Sequence, residues 1–233
     1  MKVIPSGVAL LAAPTPRAVA YASAIRGADV PLTRAFVLSP RRDTASVNAL
    51  DQIRLRLAGS CESITAIEGA DLNDEAVLDS LGSTRGELVI VAPPPGNILR
   101  APLLNSGGWF LHVHPGRLPD ARGSTTLHYA ALLGEDATVT ALLLDDGIDT
   151  GAVVHSKRLP LPRNRWQIEG GFDVTARAAV LSEVLTHLRD HGCITASPQA
   201  AGPPALHTIH PVLRAIALGA IASGPSPEGQ VSA

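Results

Sequence analysis

Two short stretches of the chain gather most of the residue types that could do chemistry. The first reads His112-Val113-His114-Pro115-Gly116-Arg117-Leu118-Pro119 and continues through Arg122-Gly123-Ser124. The second, further along, reads Asp145-Asp146-Gly147-Ile148-Asp149-Thr150-Gly151. Each follows an apolar run, Trp109–Leu111 in one case and Leu142–Leu144 in the other. Residues two apart on a strand point to one face, so His112 and His114 face the same cleft if their strand stays regular to its end. Two imidazoles and a carboxylate can move a proton, donate hydrogen bonds to a developing oxyanion or hold a metal ion. His112, His114 and Asp149, with His128 as a fourth candidate, have the types for the metal reading. Asp145 and Asp146 read as turn residues, with Gly147 supplying a positive φ.

The elements that must position these residues follow from apolar pattern and breakers. Val8 to Ala13 is a continuous apolar run, as in a strand buried on both faces. Thr15-Pro16 reads as a helix cap followed by proline at the first helical position, opening a helix over Arg17–Arg26 that Gly27 closes in the left-handed conformation. Ala35–Leu38 is the next strand, which makes one βαβ unit and implies a parallel sheet. Residues 43–60 carry Val47, Leu50, Ile53, Leu55 and Leu57 at helical spacing. Glu62–Ile67 reads as a strand and Asn73–Leu81 as a helix capped by Asn73. Leu88–Ala92 is the clearest strand, stopped by Pro93-Pro94-Pro95-Gly96. A short helix over Ile98–Leu104, a strand over Trp109–Val113 and a helix over Ser124–Leu133 follow. Thr138–Leu144 and Ala152–Leu159 form an antiparallel pair around the Asp-rich turn. Asp173 caps a long helix reaching Leu188, and His210–Ile221 forms one more. The fold class is α/β, a mostly parallel twisted sheet with helices on both faces. In such sheets the site lies at the carboxyl ends of strands, here at Ala92, Val113 and Leu144.

Composition narrows the function. The chain has 233 residues, 45% hydrophobic and 3% aromatic, with a formal charge of -2. That suits one α/β domain with a short appendage, and the core must be built from Ala, Val, Leu and Ile. So few aromatics argue against a stacking platform for single-stranded nucleic acid, and no basic run favours a polyanionic partner. Cys61 and Cys193 lie in no CxxC or zinc-type spacing and read as free thiols. Lys2 and the Ala-rich start allow a signal peptide, but Pro5 and Gly7 interrupt a short apolar run that a first strand explains better. No apolar stretch is long enough to span a bilayer. The expectation is a cytoplasmic protein without nucleic-acid or membrane partners.

The pattern His-Pro-Gly-x-Leu-Pro-x-x-Arg-Gly followed by Asp-x-Gly-x-Asp-Thr-Gly resembles the folate-dependent formyltransferase family, the type of glycinamide ribonucleotide transformylase and of the N-domain of methionyl-tRNA formyltransferases. The two blocks are specific together and weak alone, and the resemblance is best over residues 88–160. It implies a formyltransferase-like, Rossmann-type domain over residues 1–196, with a C-terminal helical extension at 197–222 and a disordered tail at 223–233. No likeness to the extra C-terminal domain of the tRNA enzymes is evident. The resemblance implies transfer of a formyl group from 10-formyltetrahydrofolate to the amine of a small acceptor such as an amino sugar or amino acid, with no metal required. It also implies the catalytic set. His114 matches the family histidine and Asp149 the last Asp of the second block, while the family Asn two residues before the histidine is here His112. Protonated His114 and His112 would donate to the formyl oxygen, and Asp149 would raise the pKa of His114 and relay protons. The resemblance places the folate against Gly96, Asn97, Ile98, Leu99, Leu144, Asp146 and Gly147. Arg117 and Arg122 are candidates for an anionic group on the acceptor. A homodimer is among the expected assemblies. The alternatives are a formyltetrahydrofolate hydrolase, a metal-dependent hydrolase using His112, His114 and Asp149, and a non-catalytic ligand-binding relative.

Overall fold

The apolar runs become strands stacked side by side. A computed structural model describes residues 1–39, 43–69, 71–94 and 96–221. Strand β1 (Lys2–Val3) leads into β2 (Gly7–Ala12), α1 (Pro16–Gly27), β3 (Arg34–Leu38), α2 (Thr44–Leu57) and β4 (Ile64–Ile67). Then come α3 (Glu75–Leu81), β5 (Glu87–Ala92), α4 (Ala101–Leu104), β6 (Trp109–His114) and α5 (Thr126–Leu133). The chain continues through β7 (Ala137–Leu143), β8 (Val153–Leu159), the single turn α6 (Arg165–Gln167) and α7 (Asp173–His191) to β9 (Ile194–Thr195) and α8 (Pro211–Ala220).

The main sheet has the order β4-β3-β2-β5-β6-β7-β8. Strands β2 to β6 are parallel, and β7 and β8 each run antiparallel to the preceding neighbour. Alternation along β2 explains the two layers. Val8, Leu10 and Ala12 enter one core with α1, α2 and α7, while Ala9 and Leu11 enter a second with α3 and α4. After β2 the chain builds outward to β3 and β4, then returns to place β5 on the other side of β2. That reversal is the switch point at which ligands bind in such sheets.

Thr15 caps α1 as its sequence suggests, its side chain accepting from the Ala18 N–H. Several local expectations are corrected. Helix α1 runs through Gly27 and a right-handed Ala28, and Asp29 takes the left-handed turn with φ 55°; Asp tolerates that region when local bonds support it. Asn73 does not cap α3, which begins at Glu75 after Asp74. Its amide instead donates to the Ile98 carbonyl and accepts from the Arg100 N–H, which ties α3 to the segment after β5. That segment stays non-helical to Arg100, so α4 is shorter than the expected Ile98–Leu104. In α2, Val47 and Leu55 face outward, 43% and 63% exposed, while Leu50, Ile53 and Leu57 pack inward. Asp173 is not a cap. A wide turn over Ile168–Phe172 feeds directly into α7, and the Asp173 carboxylate takes the Arg177 side chain. Pairing of β1 with β9 went unseen in the sequence because two-residue strands carry no periodicity. After β9, residue Leu206 bridges to Gly123 and α8 packs on α5. The expected tail at 223–233 lies outside the described residues.

Candidate active site

A cavity of about 850 Å3 opens over the ends of β5 and β6. Its wall is made by the loop after β5, the entry to α5, the loop after β7, the start of α7 and the segment Ala205–Thr208. His112 and His114 both line it, as their shared strand face requires.

His114 is 2% exposed and held at both ring nitrogens. Nε2 lies 2.7 Å from the Ala121 carbonyl oxygen. A carbonyl only accepts, so Nε2 carries the proton of the neutral ring. Nδ1 lies 3.3 Å from Asp149 Oδ2, and that oxygen also accepts the Gly123 N–H at 2.9 Å. The two sequence blocks are thus joined at the carboxylate. The glycine of His-Pro-Gly has a steric reason: a Cβ on Gly116 would stand 2.2 Å from the Ala121 oxygen and 2.5 Å from His114 Nε2. Thr140 donates to the Gly116 carbonyl at 2.7 Å, and Thr126 donates to that of Pro115.

The second block folds as a turn, with one correction. Asp145 Oδ1 accepts from the Gly147 N–H at 3.1 Å and from the Thr150 hydroxyl at 2.5 Å, the local bonding that suits Asp in turns. Gly147 does not supply the positive φ; Asp149 does, at 53°. Gly147 is needed for space, since its Cβ would fall 2.0 Å from the Thr150 hydroxyl.

The electrostatics also differ from expectation. Burial holds the His114 pKa below 6.5, because it outweighs the pull of Asp149 and the Ala121 carbonyl, and the Arg177 cation acts with it. His112 is pushed well below 6.5 by burial, then by Arg177, His114 and Arg17. A hydrogen bond to the Val91 carbonyl is the counter-influence there.

Among the residues expected to meet folate, Gly96, Asn97, Ile98, Leu99, Leu144 and Gly147 line the cavity. Asp146 is exposed and is not part of the wall. Arg117 and Arg122 do not line it either: exposed Arg117 pairs with Asp120 at 3.1 Å, and Arg122 packs beside Gly202 with a buried, unpartnered Nε. The cavity's arginines are Arg17 and Arg177. Arg177 donates to Asp173 and to the Val113 carbonyl, each at 2.7 Å. Arg17 was within reach of sequence reasoning, because it opens the helix directly after β2, a strand end at the switch point. Arg177 carried the i,i+4 spacing to Asp173. Nothing in the sequence pointed to Ala205–Thr208. Two atoms of the wall, Asn97 Oδ1 and His128 Nε2, are buried without a partner, which suits a ligand with both donors and acceptors.

A twisted, mostly parallel sheet with a histidine–aspartate pair in its switch-point cavity defines the class, an α/β domain that binds its ligand at the strand ends. The formyl transferase family pattern matches residues 39–165, just over half of the chain and spanning both blocks, and the chain belongs to that family. It is 30% identical over 151 residues to a methionyl-tRNA formyltransferase of Chloroflexus aurantiacus, covering 64% of this chain and 45% of that protein. The chain spans less than half the length of the curated relatives it matches. The structure superposes on a 4-N formyltransferase from Francisella tularensis with a TM-score of 0.57 at 15% identity, over 94% of this chain and 90% of the other. It also superposes on a formyltransferase from Anoxybacillus kamchatkensis, crystallised with UDP-4,6-dideoxy-4-formamido-L-AltNAc and tetrahydrofolate, with a TM-score of 0.51 at 17% identity over 76% and 86% of the two chains. These structural likenesses establish the fold.

Proposed function

We propose that the protein transfers a formyl group from 10-formyltetrahydrofolate to the amine of a small-molecule acceptor. The observation that carries this reading is the His114 Nδ1–Asp149 pair, fixed by Ala121 and Gly123 inside the cavity of a formyl transferase family domain. When bound, the donor supplies a formyl group attached to a nitrogen leaving group. Asn97 Oδ1, His128 Nε2 and the backbone of Gly96–Leu99 and Leu144 are the groups that would hold it. His114 Nδ1 accepts a proton from the amine as its nitrogen bonds to the formyl carbon. Asp149 stabilises the resulting imidazolium, and the same proton passes to the departing nitrogen as its bond to the carbon breaks. The positive charges of Arg17 and Arg177 favour negative charge developing on the formyl oxygen.

Residues 1–196 supply this machinery, and the extension beyond them completes the cavity wall. Two unpaired thiols fit a cytoplasmic setting, and among the described residues no helix is long and apolar enough to cross a membrane. The test is a panel of amino sugars and amino acids incubated with 10-formyltetrahydrofolate. Acceptor-dependent loss of the formyl group is expected. Loss without any acceptor would assign water as the acceptor, and the absence of both formyl consumption and folate binding would overturn the reading.

A further inference from the structure

We propose that His112, His114 and Asp149 form a three-ligand site for a zinc-type divalent metal ion, a capacity separate from formyl transfer. One ligand atom from each residue lies within 4.8 Å of the other two. Tetrahedral zinc with bonds of about 2.0–2.1 Å holds its ligand atoms about 3.3 Å apart. The His114 Nδ1–Asp149 Oδ2 separation is already 3.3 Å, so His112 has the larger adjustment to make.

The surroundings match those of a metal site. A ligating histidine turns its second ring N–H to a carbonyl or carboxylate, which fixes the tautomer and aims the other nitrogen at the ion. His114 does this with Ala121. The carboxylate is likewise oriented by the Gly123 N–H. All three ligands line an open cavity, which supplies an entry path and room for water in the fourth position. The nearby Arg177 cation is met by Asp173 at 2.7 Å. An amide in place of His112 would leave only two such ligands, so the histidine is what completes the set.

A metal ion here takes the Nδ1 lone pair that the proposed transfer needs. Zinc and turnover therefore exclude one another, and this second point rests on the proposed function. Chelator-treated protein titrated with zinc by calorimetry is expected to take up one ion per chain. His112→Asn and Asp149→Asn should each weaken binding about tenfold or more, with circular dichroism confirming that each variant is folded. A Cys61→Ser/Cys193→Ser double variant should bind as the parent does. No stoichiometric uptake, uptake unchanged in both ligand variants, or uptake lost with the cysteines would overturn the site. Saturating zinc should suppress formyl transfer, and unaffected turnover would overturn the exclusion. Transfer is assayed first on metal-free protein, so an inactive enzyme with intact zinc binding counts against formyl transfer alone.

Discussion

His114 is buried with a partner at each ring nitrogen, and its environment sets two measurable consequences. Replacing it with Ala removes the proposed proton acceptor, and kcat/KM should fall by about 10²–10⁴-fold; formylation at near parental rate would remove His114 from the mechanism. The second consequence concerns stability. A histidine whose pKa is depressed in the fold stays neutral while the unfolded ring takes up a proton, so stability is full above about pH 6.5 and declines as the pH falls below it. His114 and His112 act in the same direction. Denaturant midpoints at about pH 7.5 and 5.5 would show this as a drop. A midpoint that rises on acidification would mean the rings are charged in the fold. Types and spacing were enough to single out His112, His114 and Asp149. Their charge states were not legible, because burial and the approach of Arg177 from a distant helix decide them.

At the scale of elements, the loop from Pro115 to Gly123 matters more than its lack of regular structure suggests. It carries the Ala121 carbonyl that fixes the His114 tautomer and the Gly123 N–H that holds Asp149. Gly116→Ala should cost about 1–3 kcal/mol through the forced displacement and lower the formylation rate with it, measured by thermal melt and acceptor assay. A fully active Gly116→Ala protein would show that the His114–Ala121 contact is dispensable. The buried strands β2 and β5 were plain in the sequence as continuous apolar runs, and Thr15-Pro16 marked α1 correctly. One error fell where a polar side chain had two uses. Asn73 could cap a helix or pin a neighbouring loop, and the contact that decides, the Arg100 N–H, lies twenty-seven residues away.

Across the whole molecule, the segment after β9 closes over the turn that carries Asp149. Gln199 donates to the carbonyls of Asp149 and Gly151 at 2.9 and 2.6 Å, and Leu206 pairs with Gly123. Gln199→Ala should leave those carbonyls without their donor, destabilise the fold by about 1–3 kcal/mol and loosen Asp149, seen as a lower turnover at unchanged circular dichroism. Parental stability and rate would show that the strap carries no weight. The sequence offered no sign of this closure, since Pro- and Gly-rich stretches lack the period that reveals helices and strands.

The scarcity of aromatics has a practical consequence for spectroscopy. Trp109 and Trp166 are the only tryptophans, and they report on different things. Trp109 packs partly buried against the sheet core at the start of β6. Trp166 is 44% exposed beneath the Arg165 guanidinium, two residues before Ile168 in the cavity wall. Intrinsic fluorescence should therefore separate into a quantum yield that follows unfolding and an emission that follows occupancy. Trp166→Phe should silence the ligand-dependent change and leave the unfolding signal in place.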